Sequence, residues 1–213
     1  MNGSKTWLVT VAAVAAAACI MASAPLASVA ARPHQSSAGD GGIAASTRVH
    51  RVSPLNASGQ LSSHYTVASV RRGYCWTSSS IRPDLYRCFR GNLIVDPCWP
   101  AANRASVLCI LRPWSHRVLR LRLARGLPAT QPGASRGWGL TLRSGNNCLF
   151  SSGAHDQFHG HTILYYCHRN WVLLDEPDQS QPGWTIRTAR REGDHYVARG
   201  IRPLTDAWRA KGP

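Results

Sequence analysis

The sequence predicts an all-β, mainly antiparallel fold, a disulfide-stapled sandwich or small barrel with at most one or two short helices. Three observations support this class. Short stretches that alternate apolar and polar residues recur between turns rich in Gly and Pro. No window of twelve residues or more shows the apolar period of an amphipathic helix. Six cysteines lie between residues 75 and 167, as expected for a stapled exported domain.

The first 31 residues have the features of a secretory signal peptide. Lys5 precedes an apolar run over residues 7–22, and Val29 and Ala31 are the small residues expected before a cut after Ala31. The mature protein is therefore expected to be secreted or associated with the cell envelope. A lipoprotein is the alternative, because residues 16–19 loosely resemble the site at which bacterial lipoproteins are cut and acylated, here on Cys19.

Composition divides the rest of the chain into three parts. Residues 32–66 are rich in Ser, Gly and Ala and lack a sustained apolar period, which predicts a flexible linker. Residues 67–209 are long enough for a single disulfide-stapled β domain with one core. Residues 210–213 are then a short tail.

An even number of cysteines in an exported chain predicts three disulfides, although several connectivities remain open. We expect sequential pairing, because the prolines near Cys98 can fold the chain back toward Cys109, and a hairpin can bring Cys148 near Cys167. Zinc is the competing use of cysteine, but the chain contains no Cys-x-x-Cys pair. The six residues are Cys75, Cys88, Cys98, Cys109, Cys148 and Cys167.

The clearest strand is residues 117–125, RVLRLRLAR. Leu119, Leu121 and Leu123 share one face of an extended chain, and Arg120 and Arg122 share the other. This alternation predicts a strand that is buried on one side and strongly basic on the other.

Further strands are expected in the second half of the chain. Residues 139–150 form two alternating runs split by Ser-Gly-Asn-Asn, which is typical of a hairpin. Other short runs, separated by turn residues, lie at 161–168, 171–174, 184–188 and 195–201. Short helices are expected near 84–89 or 101–107.

The chain after residue 31 carries 24 basic residues against 10 acidic ones, a net charge of +14 that is almost entirely arginine. Such an excess favours attraction to polyanions, although biased genomic composition with solvated arginines is an alternative. Tryptophans at strand starts beside disulfides are expected mostly in the core, and Trp99 and Trp114, each next to a proline, are the best candidates among them for exposure. The candidate binding residues are Arg117, Arg120, Arg122, Arg125, Arg187, Arg190, Arg191, Trp99 and Trp114.

Several phrases carry a family resemblance. They are CWTSS at 75–79, RPDLYRCFRGN at 82–92, DPC at 96–98, VLC at 107–109, VLRLRLARGLP at 118–128, GNNCLFSSGA at 145–154 and LYYC at 164–167. Together they resemble a group of uncharacterised, exported, cysteine-containing proteins from actinobacteria. The resemblance covers residues 74–208 and implies an exported protein with six cysteines; it indicates no particular activity and no catalytic residues.

Two kinds of reactive site are compatible with the sequence. His155, Asp156, His159 and His161 fall within seven residues and are natural ligands for Zn²⁺ or another divalent ion, although such a loop is more often a set of exposed turn residues. A hydrolase would need carboxylates or a histidine facing each other across a pocket, for which Asp84, Asp96, Asp156, Asp175 and His155 are the candidates.

The sequence thus predicts a secreted or envelope-associated, non-catalytic binding protein. Its expected partner is an anionic cell-wall polymer, a lipid surface or another protein, and nucleic acid is disfavoured in that compartment. The alternatives are a secreted hydrolase with a carboxylate or histidine site and a purely structural or protein-interaction domain. No cofactor is expected.

Overall fold

Thirteen β-strands make up the regular structure of residues 46–213, the part of the chain that the computed structural model describes. One 3-10 turn, His168–Asn170, is the helical element of this part, so the all-β prediction is confirmed. The predicted signal peptide at 1–31 and Cys19 lie outside the described residues. The strands are β1 Arg48–Val52, β2 Thr66–Ser78, β3 Tyr86–Arg90, β4 Leu93–Pro100, β5 Ser106–Ile110, β6 Arg117–Leu123, β7 Gly137–Leu142, β8 Asn147–Phe150, β9 Gln157–Phe158, β10 His161–Cys167, β11 Trp171–Asp178, β12 Thr185–Glu192 and β13 His195–Ala210.

Strands β2 to β6 close into a first barrel. Consecutive strands are antiparallel, and β6 closes the ring by pairing in parallel with β2. Leu119 and Leu121 point into its interior, as the alternation of this segment predicts. Gly73 allows a close approach of β3, since a Cβ atom here would lie 2.4 Å from the carbonyl oxygen of Phe89.

Strands β7 to β13 form a second closed sheet. The order is β7-β8-β10-β11-β12-β13, and β13 pairs back to β7. The short β9 adds to β10, and β1 adds in parallel to β13. The predicted hairpin at 139–150 is confirmed as the antiparallel pair β7–β8, and the predicted runs at 161–168 and beyond form β10 to β13.

Three disulfides brace the barrels in the sequential pattern expected from the sequence. Cys75–Cys88 and Cys98–Cys109 join neighbouring strands of the first barrel, and Cys148–Cys167 joins β8 to β10 in the second. Disulfides persist in oxidising surroundings and are rare in the reduced cytoplasm. The three bridges therefore indicate an oxidising, extracellular compartment. No helix within residues 46–213 is long and apolar enough to cross a bilayer.

One buried apolar cluster spans the two barrels, beside a separate cluster inside the first barrel. Trp99 and Ile110 from the first barrel belong to the same buried cluster as Trp138, Leu140 and Tyr165 from the second. The rings of Trp99 and Trp138 lie 6.0 Å apart, and both side chains are almost completely buried. Because the cluster has members on both sides, separating the barrels would expose large apolar surfaces to water.

The structure corrects the predicted linker at 32–66 over residues 46–66, whereas residues 32–45 lie outside the described part of the chain. Strand β1 and the turns after it lie inside that range, and the Asn56 N–H donates to the Gln60 carbonyl at 2.9 Å. The alternation is weak here because β1 is held by its edge pairing with β13 rather than by one buried face. Lys211, predicted to lie in a free tail, donates its N–H to the Val52 carbonyl at 2.7 Å.

The predicted short helices at 84–89 and 101–107 are wrong. The first range enters β3 and the second enters β5. The first range contains Cys88, and the second leads into β5, which carries Cys109; bridging two neighbouring strands requires an extended backbone at each cysteine. Cross-strand pairing therefore overrides the local preference of these short segments.

Candidate ligand-binding face

A row of aromatic side chains projects from the outside of the first barrel. Successive residues of a strand point to opposite sides, so the inward disulfide of Cys75 forces Tyr74 and Trp76 outward. Trp76 is 69% exposed and Tyr74 is 36% exposed. The register of β2 against β3 shifts between Cys75 and Thr77, so Trp76 occupies a bulge, a device that redirects a side chain.

Phe89 on β3 completes the row. Its ring is stacked on that of Tyr74, with centroids 5.5 Å apart and planes inclined by 15°. The Trp76 ring lies 6.1 Å from Phe89 on the other side and is tilted by 51°. Three rings therefore form one contiguous surface on β2 and β3, with Phe89 in the centre.

Arginines border this row. The Arg125 guanidinium carbon lies 4.3 Å from the centre of the Tyr74 ring, a cation–π contact. Arg72 points to the same side of β2 as Tyr74, and it is paired across the parallel ladder with Arg122 of β6; both arginines are exposed. We call the surface formed by Arg72, Tyr74, Trp76, Phe89, Arg122 and Arg125 the aromatic–arginine face.

The surroundings of this face contain very few carboxylates. Residues 66–125 include eleven arginines and two carboxylates, Asp84 and Asp96, which gives a net charge of +9. Asp84 forms a two-point ion pair with Arg82 at 2.7 and 2.8 Å. Within the described residues no carboxylate pairs with Arg72, Arg122 or Arg125, so their charge remains available to a ligand.

Asp96 is withdrawn from the surface. Its carboxylate accepts hydrogen bonds from the Ser79 hydroxyl and, at 2.9 Å, from the Ser80 N–H. Burial raises the pKa of Asp96, although these hydrogen bonds oppose the shift. The carboxylate of the half-buried Asp96 thus makes local structural hydrogen bonds.

The predicted binding arginines fall into separate groups. Arg122 and Arg125 belong to the aromatic–arginine face, whereas Arg117 borders a cleft at the beginning of β6. Arg120 is half-buried in a second small cleft beside Gln60 and Asn103. The remaining predicted members, Arg187, Arg190 and Arg191, lie on β12 of the second barrel. They do not extend the segment 117–125 that carries the other four.

The two tryptophans that are the best candidates for exposure, Trp99 and Trp114, are buried and half-buried, respectively. Trp99 is 0% exposed, and its indole N–H donates to the Lys211 carbonyl at 2.8 Å. Trp114 is half-buried and packs edge-on against Trp208 with ring centroids 5.4 Å apart. Their neighbouring prolines mark chain reversals at the junction of the barrels, where both rings fill the shared apolar contact.

The histidine loop does not assemble a metal site. Across residues 46–213 no group of three or more His, Cys, Asp or Glu side chains is placed to hold a metal ion. His161 bonds instead to the Asp175 carboxylate at 2.5 Å, and His155 bonds to the Ile163 carbonyl at 3.0 Å. His159 lies against Phe158, with ring centroids 4.2 Å apart, and the Tyr166 hydroxyl donates to Asp156 at 3.4 Å.

The candidate residues of a hydrolase are likewise engaged by separate partners. Asp84 is bound by Arg82, Asp96 by two serines, and Asp175 by His161 and by the Thr162 N–H at 3.0 Å. Each of these carboxylates therefore accepts hydrogen bonds that hold the local structure.

The aromatic row is the feature that the sequence interpretation missed. Trp76 was assigned to the core because it adjoins a disulfide, but the alternation of the strand places a residue next to an inward cysteine on the outside. Comparison with protein-family models, curated proteins and solved structures finds no match for this chain.

Proposed function

We propose that this protein is a non-catalytic binding protein of the cell envelope or its surroundings, and that its aromatic–arginine face binds an anionic glycopolymer. The observation that carries the proposal is the combination of an exposed, contiguous aromatic row with unpaired arginines on one sheet surface. Neither element alone would select this partner. Solvated arginines attract any polyanion, and an isolated exposed aromatic ring is common on protein surfaces.

The two parts of the face complement the two parts of such a polymer. Aromatic faces can stack on the apolar faces of sugar rings, and Trp76, which is the most exposed ring, is suited to this contact. Guanidinium groups form paired hydrogen bonds with carboxylate or phosphate groups, and Arg72 and Arg122 present two of them side by side. A polymer with ring sugars and anionic substituents can satisfy both.

The oxidising compartment that the disulfides indicate supports the proposal of an envelope polymer as the ligand. Envelope polymers with carboxylate or phosphate groups are present in such surroundings, whereas nucleic acid is mostly confined to the cytoplasm. A surface with a net positive charge also accelerates the encounter with a polyanion and gives binding a strong dependence on salt.

Binding of the purified protein to three polymers tests the proposal. A uronic-acid polysaccharide, neutral dextran and ringless polyphosphate are titrated by calorimetry at 50 and 300 mM salt. We expect the acidic polysaccharide to bind most tightly and to weaken with salt, and dextran to bind weakly or not at all. Equal affinity for polyphosphate would show that charge alone explains the binding and would contradict the role of the aromatic row.

Paired variants locate the binding. Trp76→Ala is expected to weaken binding of the acidic polysaccharide by about tenfold. The matched control is Ile201→Ala in the second barrel, because Ile201 is a similarly exposed apolar side chain on β13. Tyr166→Ala is the control for Tyr74→Ala, since both tyrosines are about equally exposed. Equal losses in test and control variants would refute the assignment of the face.

A further inference from the structure

A cleft at the end of the first barrel is lined both by apolar side chains and by three arginines. It has a volume of about 300 Å³, at the lower end of the range for small-molecule sites. Two of its lining residues, Val118 and Leu119 of β6, are buried, and we call them its floor. Its walls come from β2, the β3–β4 turn, the segment between β5 and β6, and β6 itself. The lining residues beyond the floor are Ala68, Ser69, Arg90, Leu93, Leu111, Arg112, Ser115 and Arg117.

The charge of the cleft has one sign. Arg90, Arg112 and Arg117 line it, and no Asp or Glu is among its lining residues. None of the three arginines forms an ion pair within the part of the chain that is described. Like charges around a concave, low-dielectric surface repel each other and concentrate an attractive field for an anion.

The same cleft exposes aliphatic surface. Leu93 is 47% exposed and Leu111 is 49% exposed, and both contribute to its rim. The cleft is therefore lined by two large exposed leucines as well as by the buried Val118 and Leu119. Such an apolar lining is unfavourable in water unless an apolar group covers it.

The walls are held in place from outside the cleft. In the turn 112–115, the Ser115 N–H donates to the Arg112 carbonyl at 2.9 Å. The turn is fixed against the second barrel, because a Cβ atom at Gly139 would lie only 2.5 Å from the Pro113 ring. On the opposite wall, the register of β2 against β6 shifts between Val67 and Ser69, leaving Ala68 in a bulge. A fixed turn and a bulge produce a preformed depression in an otherwise regular barrel wall.

We propose that this cleft binds an amphiphilic anion, a small molecule with a carboxylate or phosphate head and a short aliphatic chain. The head pairs with the guanidinium groups of Arg90, Arg112 and Arg117, and the chain covers Leu93, Leu111 and the floor. The site is distinct from the aromatic–arginine face, and the proposal does not depend on the glycopolymer.

Calorimetry with the purified full-length protein tests the proposal, using hexanoate, octanoate, decanoate and dodecanoate below their micellar concentrations. We expect affinity to rise by up to about fourfold per added methylene group and to reach a plateau once the chain exceeds the cleft. Acetate and inorganic phosphate should bind far more weakly, as should dodecyl maltoside, which has the chain without the charge. Equal binding of acetate or phosphate would overturn the amphiphile, and equal binding of the neutral detergent would overturn the role of the arginines.

Variants assign any binding to this cleft. Arg112→Ala and Arg117→Ala are each expected to weaken decanoate binding by about three- to tenfold, whereas Arg187→Ala, at an exposed arginine on β12, should leave it unchanged. Leu111→Ser should flatten the dependence of affinity on chain length, and Ile201→Ser is its matched control.

Unchanged decanoate affinity in the cleft variants refutes the site. Binding to phosphatidylglycerol vesicles without binding of monomeric decanoate also refutes it, because a membrane surface would then be the partner. Circular dichroism checks that each variant is folded.

Discussion

The two barrels resemble each other in architecture and differ in charge. Both are closed, mainly antiparallel and disulfide-braced, yet residues 66–125 carry eleven arginines against two carboxylates, whereas residues 137–210 carry eight arginines against seven carboxylates. The net charges are therefore +9 and +1. In the second barrel, five carboxylates are bonded to arginine or histidine: Asp175, Glu176, Glu192, Asp194 and Asp206.

This difference bears on the origin of the positive charge. A genomic bias toward arginine would enrich both barrels, and both are in fact rich in arginine. It would not remove carboxylates from one barrel alone. Since the second barrel folds with nearly balanced charge, the fold does not require the excess on the first barrel, and a ligand is the simpler reason for it.

The largest predicted effect tests whether the two barrels are one folding unit. Trp99→Ala should lower the free energy of unfolding by about 3–5 kcal/mol, because it empties a buried site in the apolar cluster that spans the two barrels. Trp76→Ala, at the exposed ring, should change it by about 0.5 kcal/mol or less. Guanidinium unfolding gives the free energies, and amide hydrogen exchange shows which strands lose protection. Protection lost in the first barrel alone would mean that the barrels are independent.

Disulfide removal is expected to have the next largest effect. The bridges Cys98–Cys109 and Cys148–Cys167 span 11 and 19 residues, so the chain-entropy model assigns each about 3 kcal/mol. Replacing either pair by alanine should cost a similar amount in urea unfolding. Amide exchange should nevertheless increase more around β8 and β10, because the first barrel keeps its second bridge. An equal increase in both barrels would contradict this difference in bracing.

The smallest effect concerns the attachment of β1. Asp206 is 7% exposed and accepts hydrogen bonds from His50 at 2.8 Å and from Arg48 at 3.2 Å. Burial alone would raise the pKa of Asp206, but the bonds from His50 and Arg48 outweigh it and leave the pKa below its ordinary value.

A lowered pKa in the folded state means that ionised Asp206 stabilises the fold above its ordinary pKa, near 3.9, and that this contribution is lost as the pH falls through the lower, folded value. Asp206→Asn should therefore remove about 1 kcal/mol at neutral pH and abolish this part of the acid sensitivity. Amide exchange of β1, measured between pH 3 and 6, reads out the effect. Equal β1 protection in the variant and the parent would show that backbone pairing alone holds the strand.

The fold was largely predictable because its signals are local. Alternation in residues 117–123, the turn at 144–147 and the even number of cysteines each act over a short stretch, and all led to correct strands or bridges. Strand β1 was not predictable in this way, since its partner in β13 lies more than 150 residues away. Closure of the first barrel by parallel pairing of β2 with β6 was not predictable for the same reason, because these two strands are also distant in sequence.

The candidate site was predictable only in part. Composition indicated arginines on β6, and the inward position of Cys75 would have indicated an outward Trp76. The proximity of Arg122 to Arg72, however, depends on the register between β2 and β6. Trp99 shows the opposite limit, because its neighbouring prolines suggested a loop, and some of the residues that bury it, such as Trp138, come from the distant second barrel.

Charge reversal of exposed arginines on each barrel tests whether the polymer binds to the aromatic–arginine face. The double variant Arg72→Glu/Arg122→Glu alters the aromatic–arginine face, and Arg187→Glu/Arg190→Glu makes the same change in net charge on exposed arginines of the second barrel. We measure binding of both to the acidic polysaccharide at a fixed 100 mM salt. We expect a loss of affinity of at least tenfold in the first variant and of less than threefold in the second. Equal losses in the two variants would show that overall charge, and not a site on the first barrel, attracts the polymer.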